Sequence, residues 1–276
     1  MKKLIYIFII GLLTISSCSE DVLDKAPLDV VSDDVVWSDQ LLIDAYLTQT
    51  YLEMTILTNE TPNKDWASSD DWNGPFIVNE LTDECTRNWI HGQSDSKMWG
   101  ILIGGGILEW WEPSYKTIRS LNEFIKRIEN APVKEDFKIM RAAEARFLRA
   151  YNYFSMVKRY GGVPLITVAQ DINASEEELF RKRDKEQVIY DFVISEMDAI
   201  VNDLPDKAAA EYGRPSKITA LALKSRAALY AGSIAQYGTV QLDGVVGIDN
   251  SKTSNYYQLA YDAAKTIINS GAIAKP

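Results

Sequence analysis

Six of the seven tryptophans, Trp66, Trp72, Trp89, Trp99, Trp110 and Trp111, fall between Thr55 and Trp111. Interleaved with them are Asn63, Asp65, Asp70, Asp71, Asn73, Asn88, His91 and Gln93. A sugar offers apolar C–H faces ringed by hydroxyls, so binding one calls for flat aromatic platforms beside amides and carboxylates. Trp66, Trp72 and Trp89, with Asn88, are the candidate glycan-binding residues on this chemistry. The competing reading is that the tryptophans only plug the segment onto the rest of the protein. Trp110 and Trp111, beside a helix start, are expected to be structural, and Trp99 fits either role. Asp83-Glu84 has the composition of a two-carboxylate glycosidase site, but adjacent residues rarely face one cleft, and a structural or hydrogen-bonding role is favoured. Other enzyme signatures are missing from the sequence. There is one histidine, no His-x-x-x-His pair, no cysteine cluster and no Gly-x-Ser-x-Gly elbow. Gly104-Gly105-Gly106 lacks the Lys-Ser/Thr of a phosphate loop. The expectation is a protein that is not an enzyme and uses neither metal nor cofactor.

The second chemical feature is Cys18. Lys2 and Lys3 precede an apolar run from Leu4 to Ile15, too short for a bilayer span of about 20 residues. Ile15-Ser16-Ser17-Cys18 then resembles a bacterial lipobox, which makes residues 1–17 a lipoprotein signal peptide and Cys18 the lipidation site. Cys85 is the only other cysteine, so a disulfide framework is excluded once Cys18 is acylated. Net charge is −10; without Lys2 and Lys3 the chain has 27 basic residues against 39 acidic ones, or −12. That balance disfavours nucleic acid, whose phosphates reward Lys and Arg, and a polybasic membrane-surface mode.

The elements that must position these residues read as helices. Ser38–Met54 is expected as a first helix, with Ser38 as N-cap and Leu41, Ala45 and Leu52 inward. Ser114–Asn130 follows, with Ile118, Leu121, Ile125 and Ile128 on one stripe. A longer helix carries Phe137, Met140, Ala143, Phe147, Ala150, Phe154 and Val157 at steps of three and four. Arg141, Arg146, Arg149 and Lys158 mark its expected wet side, and Gly161-Gly162 with Pro164 stop it. Val163–Val168 is the best candidate for a short strand. Asp184–Leu204 is expected to open on an Asp184/Gln187 capping box and to bury Ile189, Val193, Met197, Ile200 and Leu204. Ser216–Tyr237 and Asn255–Ser270 complete the series, the last with an Asn255/Gln258 capping box. The fold expected is mostly α, a tetratricopeptide-like scaffold of helical pairs with a long irregular tryptophan-rich insertion. The spacing of the helices is too irregular to establish a strict repeat.

Arg149-Ala150-Tyr151-Asn152-Tyr153-Phe154 running into Tyr160-Gly161-Gly162-Val163-Pro164-Leu165 resembles the SusD/RagB family of outer-membrane nutrient-binding lipoproteins. Tyr115-x-x-Ile118 with Leu121-Asn122, the Asp184–Leu204 helix closing on Asp203-Leu204-Pro205, and Gly213-Arg214 before a small-residue helix match the same family in order. The resemblance implies the helical-repeat scaffold. It also implies a non-catalytic surface lipoprotein that binds oligo- or polysaccharide and delivers it to a TonB-dependent transporter barrel in the outer membrane of Bacteroidota-type bacteria. Glu20-Asp21 behind Cys18 looks like the export signal to the outer face. The resemblance further implies that residues 18–276 are the N-terminal, helical-repeat part of a longer chain, leaving Tyr257, Tyr261, Ala264, Ile267 and Ile268 as an uncapped face. The alternatives are a lipid-anchored helical-repeat scaffold that binds peptide or protein and, less favoured, a glycoside hydrolase using Asp83 or Glu84. Replacing the lipidation nucleophile, Cys18→Ala, is expected to abolish acylation; metabolic labelling with palmitate and detergent partitioning check it.

Overall fold

The structure, a computed structural model, describes residues 32–54 and 111–272. Cys18, Trp66, Trp72, Asn88 and Trp89, together with Trp99 and Trp110, lie outside the described residues. Within them run α1 (Asp33–Ser38), α2 (Gln40–Glu53), α3 (Trp111–Ile128), α4 (Glu135–Tyr160), α5 (Glu176–Leu179), α6 (Glu186–Ile200), α7 (Lys217–Tyr237) and α8 (Thr253–Asn269). Each of the long helices packs on the one before it. Their cross-bonds fix an antiparallel register. Ser114, Asn122 and Glu129 of the α3 arm meet Asn152, Arg149 and Lys138 of α4. Arg146 and Tyr153 of α4 meet Glu196 and Phe192 of α6. Ser225 and Gln236 of α7 meet Ala260 and Tyr257 of α8. This is the expected tetratricopeptide-like arrangement of helical pairs, mostly α.

The core follows the predicted stripes with instructive departures. Ala143, Phe147, Ala150, Phe154 and Val157 are buried, whereas Phe137 and Met140 near the start of α4 are half-buried. Ala145, Ala227, Ala228 and Ala231 are fully buried, and small residues at such positions let helix backbones approach closely. On α6 Ile189, Val193, Met197 and Ile200 are buried as predicted, and so is Leu204 in the turn that follows it. α2 differs. Its inward face is Ile43, Leu47 and Met54, while Leu41, Ala45 and Leu52 point outward. Both stripes have helical spacing, so periodicity cannot choose between them; contact with α3 through Tyr46 and Phe124 does.

Several expected caps are replaced. Ser38 ends α1, and Asp39 caps α2 by accepting from the Leu41 N–H at 2.7 Å. Asp184 does not cap α6. Its carboxylate accepts from the Leu165 N–H instead, 19 residues upstream, and Lys185 occupies the cap position. A 3₁₀ turn capped by Asp249 leads into α8, so Asn255 lies inside the helix and Gln258 bonds Asp262. Among the described helices only α7 shows a capping box, Ser216 with Thr219. On α8, Tyr261 and Ile268 are exposed as expected, but Ile267 turns onto the core.

The end of α4 explains its two glycines. Gly161 has φ 69°, which favours glycine, and a Cβ there would lie 2.6 Å from the Val245 carbonyl oxygen. Gly162 has no left-handed requirement; its Cβ would fall 1.9 Å from the Asp184 carbonyl oxygen and 2.8 Å from the Glu186 nitrogen. The 242–246 turn and the entry to α6 both close on this point, with the Gly162 N–H donating to Val245 O at 2.6 Å. Gly162→Ala is therefore expected to destabilise the fold by ~1–3 kcal/mol or more through overpacking, read as a lowered thermal midpoint with helicity retained in the cold.

Candidate functional site

The residues with functional chemistry that the structure brings together are charged, and they sit where the sequence predicted water. Arg141 and Arg149 are only 3% and 5% exposed. They occupy the side of α4 that meets α2, α3 and α6, so their charges must be satisfied inside the protein.

Arg141 donates from Nε to Asp44 Oδ1 at 2.6 Å, from Nη1 to Glu144 at 2.9 Å and from Nη2 to Glu211 at 2.8 Å. Glu144, itself buried, also accepts from Tyr51 Oη at 2.6 Å and from Arg214 at 2.8 Å. Burial, followed by the Glu144 charge, pushes the Tyr51 hydroxyl far above its ordinary range, so it stays protonated and donates. A direct bond from Arg141 holds the exposed Glu211 carboxyl below its usual range. Two arginines and three carboxylates thus join α2, α4 and the loop ahead of α7.

A second cluster lies further along α4, with Arg149 about two turns beyond Arg141. Arg149 donates to the Asn122 amide oxygen at 2.7 Å, the Thr167 carbonyl at 2.8 Å and Glu196 at 2.9 Å, and Arg146 forks onto the same Glu196. Burial alone would raise the Glu196 carboxyl; the hydrogen bond from Arg146 and the charges of both arginines outweigh it and hold it low. Next to this cluster runs the segment expected as a strand, Val163–Val168. Among the described residues it forms no strand ladder. Side chains take over the role of a sheet: Tyr115 and Tyr153 donate to the Pro164 and Ile166 carbonyls, Asn122 to Ile166 O, and the Ile166 N–H donates to Tyr153 Oη.

Chemically these clusters are closed. Nearly every donor and acceptor is engaged, the buried exceptions among the described residues being Arg149 Nε and Tyr190 Oη. No metal-binding group of His, Cys, Asp and Glu is present among the described residues. Surface clefts lined by described residues include two of similar size. One, ≈ 720 Å³ between the ends of α6, α7 and α8, has an apolar floor that includes Ile218 and Leu221, with its charges paired as Asp206–Lys217 at 3.0 Å. The other, ≈ 700 Å³ between α1 and the end of α3, includes Trp37. Arg127 covers that ring, 5.8 Å from its centroid, and the indole N–H bonds Asp33. Neither cleft offers the free aromatic face that a sugar needs.

Trp66, Trp72, Asn88 and Trp89 all fall in residues 55–110, outside the described residues. Trp111 is placed, and it is structural as expected: it packs on Tyr115 and Tyr160 at ring separations of 5.4 and 5.3 Å. The buried arginines were missed from sequence. Their signal was present, since acidic residues recur at Asp44, Glu144, Glu196 and Glu211, but the pairings span up to 97 residues.

A family model described as "Starch-binding associating with outer membrane" matches residues 23–229. SusD-like protein P38 of Formosa agariphila is 27% identical over 148 residues, 54% of this chain and 28% of that protein. SusD-like protein P2 of the same organism is 30% identical over 120 residues, 43% of this chain and 23% of its own. A solved SusD-like protein from Bacteroides fragilis superposes with TM-score 0.52 at 26% identity, covering 87% of this chain and 41% of that one. A second from that species, at 20% identity and TM-score 0.52, shares the fold over 86% of this chain and 41% of its own. The matched stretches therefore span less than half the length of these relatives.

The charged clusters generate a pH prediction. The folded Glu196 carboxyl lies below its unfolded value of about 4.3, so its ion pairs contribute fully above that value and are lost as pH falls through the lower folded one. Glu196→Gln is expected to lower stability near neutral pH by about 3–5 kcal/mol, because Arg149 is left buried and uncompensated. It is also expected to flatten the acid limb of thermal midpoint against pH, measured by calorimetry across that limb.

Proposed function

Because this chain belongs to the SusD-like family, we propose that it is a non-catalytic surface lipoprotein that binds a glycan and passes it to a TonB-dependent transporter in the outer membrane. The observation that carries this reading is the family match over residues 23–229 of 276, whose description joins starch binding to the outer membrane. The chemistry of the chain agrees. Cys18 in its lipobox supplies the anchor, and none of the described helices is long and apolar enough to cross a membrane. The net charge of −10 sets nucleic acid aside.

In this reading the helical scaffold presents the glycan-binding segment. Residues 55–110 leave α2 and re-enter at α3, and both helices are fastened to α4. The Asp44–Arg141 pair and the Tyr51–Glu144 bond hold α2; Asn122 and Ser114 hold α3. A rigid mount favours binding, because less conformational entropy is lost when the ligand arrives. Trp66, Trp72 and Trp89 supply the stacking faces and Asn88 an amide for the hydroxyls.

Each of Trp66→Ala, Trp72→Ala and Trp89→Ala is expected to weaken binding by roughly 1–3 kcal/mol with little change in thermal midpoint. Calorimetric titration with maltoheptaose, after a glycan array to choose any better probe, measures the first, and thermal unfolding measures the second. Loss of stability at unchanged affinity would identify the tryptophans as core residues and overturn this assignment.

A further inference from the structure

The loop ahead of α7 is short and firmly held. Glu211, Tyr212, Gly213 and Arg214 form a tight turn, closed by the Arg214 N–H donating to the Glu211 carbonyl at 3.1 Å. Gly213, in its third position, has φ 83°, the value a type II turn requires there. Both flanks of the turn are bolted down. Glu211 accepts from Arg141 at 2.8 Å, and its other carboxylate oxygen pairs with Arg214 Nε at 2.9 Å. Arg214 also donates to the buried Glu144 at 2.8 Å and reaches Thr48 of α2 at 3.5 Å. The turn is thereby fixed to α4 through the same cluster that fixes α2.

Tyr212 stands at the second position of this turn, and its side chain is fully exposed. No hydrogen bond, ion pair or ring contact engages it among the described residues. Other exposed tyrosines are covered by cations: Lys265 lies over the Tyr261 ring at 5.3 Å and Arg226 over the Tyr230 ring at 5.9 Å. A bare ring on a fixed backbone loses little entropy when a ligand stacks on it, because only two side-chain torsions must be ordered. Its setting selects the ligand. An aromatic anchor for a protein partner sits within an apolar patch, whereas the side chains tied to this turn are all polar. A pyranose needs that combination, an aromatic face for its C–H groups and hydrogen-bonding groups for its hydroxyls. The supporting cluster sets Arg141 and Arg214 against Asp44, Glu144 and Glu211, two positive charges against three negative, or −1. An anionic sugar gains no attraction there.

We propose that Tyr212 is a stacking residue for a neutral glycan, displayed by the helical scaffold itself on the turn that Glu211 and Arg214 hold. Residue 212 falls within the 23–229 stretch matched by the family model whose description names starch binding. The proposal rests on the glycan-binding reading above and adds to it a contact outside residues 55–110. Glu211 is a positioning residue in this role, acting through the backbone of the turn rather than on the sugar.

The full chain in mild detergent is titrated calorimetrically with maltoheptaose, or with a neutral oligosaccharide that binds more tightly on a glycan array. Tyr212→Ala is expected to weaken binding roughly tenfold with an unchanged thermal midpoint. Tyr212→Phe keeps the ring face and is expected to stay within about twofold of wild type. An oligogalacturonate of equal length is expected to bind wild type at least about tenfold less tightly. If Tyr212→Ala lowers the thermal midpoint, Tyr212→Trp decides: equal or tighter binding supports the stacking face, and a loss overturns it. A Tyr212→Ala protein that binds as wild type does overturns the inference and leaves the reading through Trp66, Trp72 and Trp89 intact. A loss in Tyr212→Phe as large as in Tyr212→Ala makes the hydroxyl the contact and overturns stacking. Equal affinity for the oligogalacturonate overturns the neutral class. A wild type that binds no glycan on the array overturns both the inference and the reading beneath it.

Discussion

The placement of α4 rests on Arg141 being buried against three carboxylates. Removing a guanidinium from water costs several kcal/mol, and the attraction of its partners offsets this only when geometry is good and the remaining donors are used. Here the Nε and Nη2 of Arg141 fork onto Asp44 while Nη1 meets Glu144. Net stability from such a group is modest. Its consequence is positional. A one-residue slip of α2 along α4 would separate Asp44 from Arg141 and Tyr51 from Glu144 together, leaving charge stranded at 2–4% exposure. The network selects one register among several that the apolar contacts of α2 would tolerate.

The same logic governs the segment after α4. Backbone groups of residues 163–167 have no sheet to pair with, and leaving them unpaired inside the protein would cost more than most side-chain contacts return. Tyr115, Asn122, Arg149, Tyr153 and Asp184 each contribute a side-chain partner. Burial keeps the Tyr153 hydroxyl protonated by pushing its ionisation up, so it can donate to a carbonyl while accepting from the Ile166 N–H. A chain path with so many dedicated partners is held in one conformation. The glycines at 161 and 162 belong to this arrangement, because side chains there would strike the 242–246 turn and the entry to α6.

The described helices contain arginines, carboxylates and tyrosines in abundance, yet almost all of these groups are spent on each other. An engaged arginine cannot also bind substrate without losing a partner, so the closed clusters suit support better than recognition. The exposed apolar residues of the described chain include Val168, Ile172 and Phe180, between α4 and α6.

Local sequence information settled the long helices and most of their buried faces. The 3.6-residue spacing from Ala143 to Val157 and from Ile189 to Leu204 survives intact because burial of one stripe dominates the energy of a helix on a core. The stop at Tyr160 was equally legible, since glycine and proline act within a few residues. The Tyr-Gly-Gly-Val-Pro-Leu wording pointed to the family, and the lipobox and the tryptophan-rich stretch to an anchor and a glycan site, all from neighbouring residues. What tertiary structure alone decided was everything resting on partners far along the chain. Arg141 and Arg149 look like a wet face until Asp44, Glu144, Glu196 and Asn122 are brought to them. Asp184 looks like a cap until Leu165 offers its N–H. Leu41 and Ile43 are equally fit for the inside of α2, and only the contact of Tyr46 with Phe124 chooses. A side chain's type fixes what it can bond to, but the fold fixes which partner arrives, and desolvation makes that partner decisive.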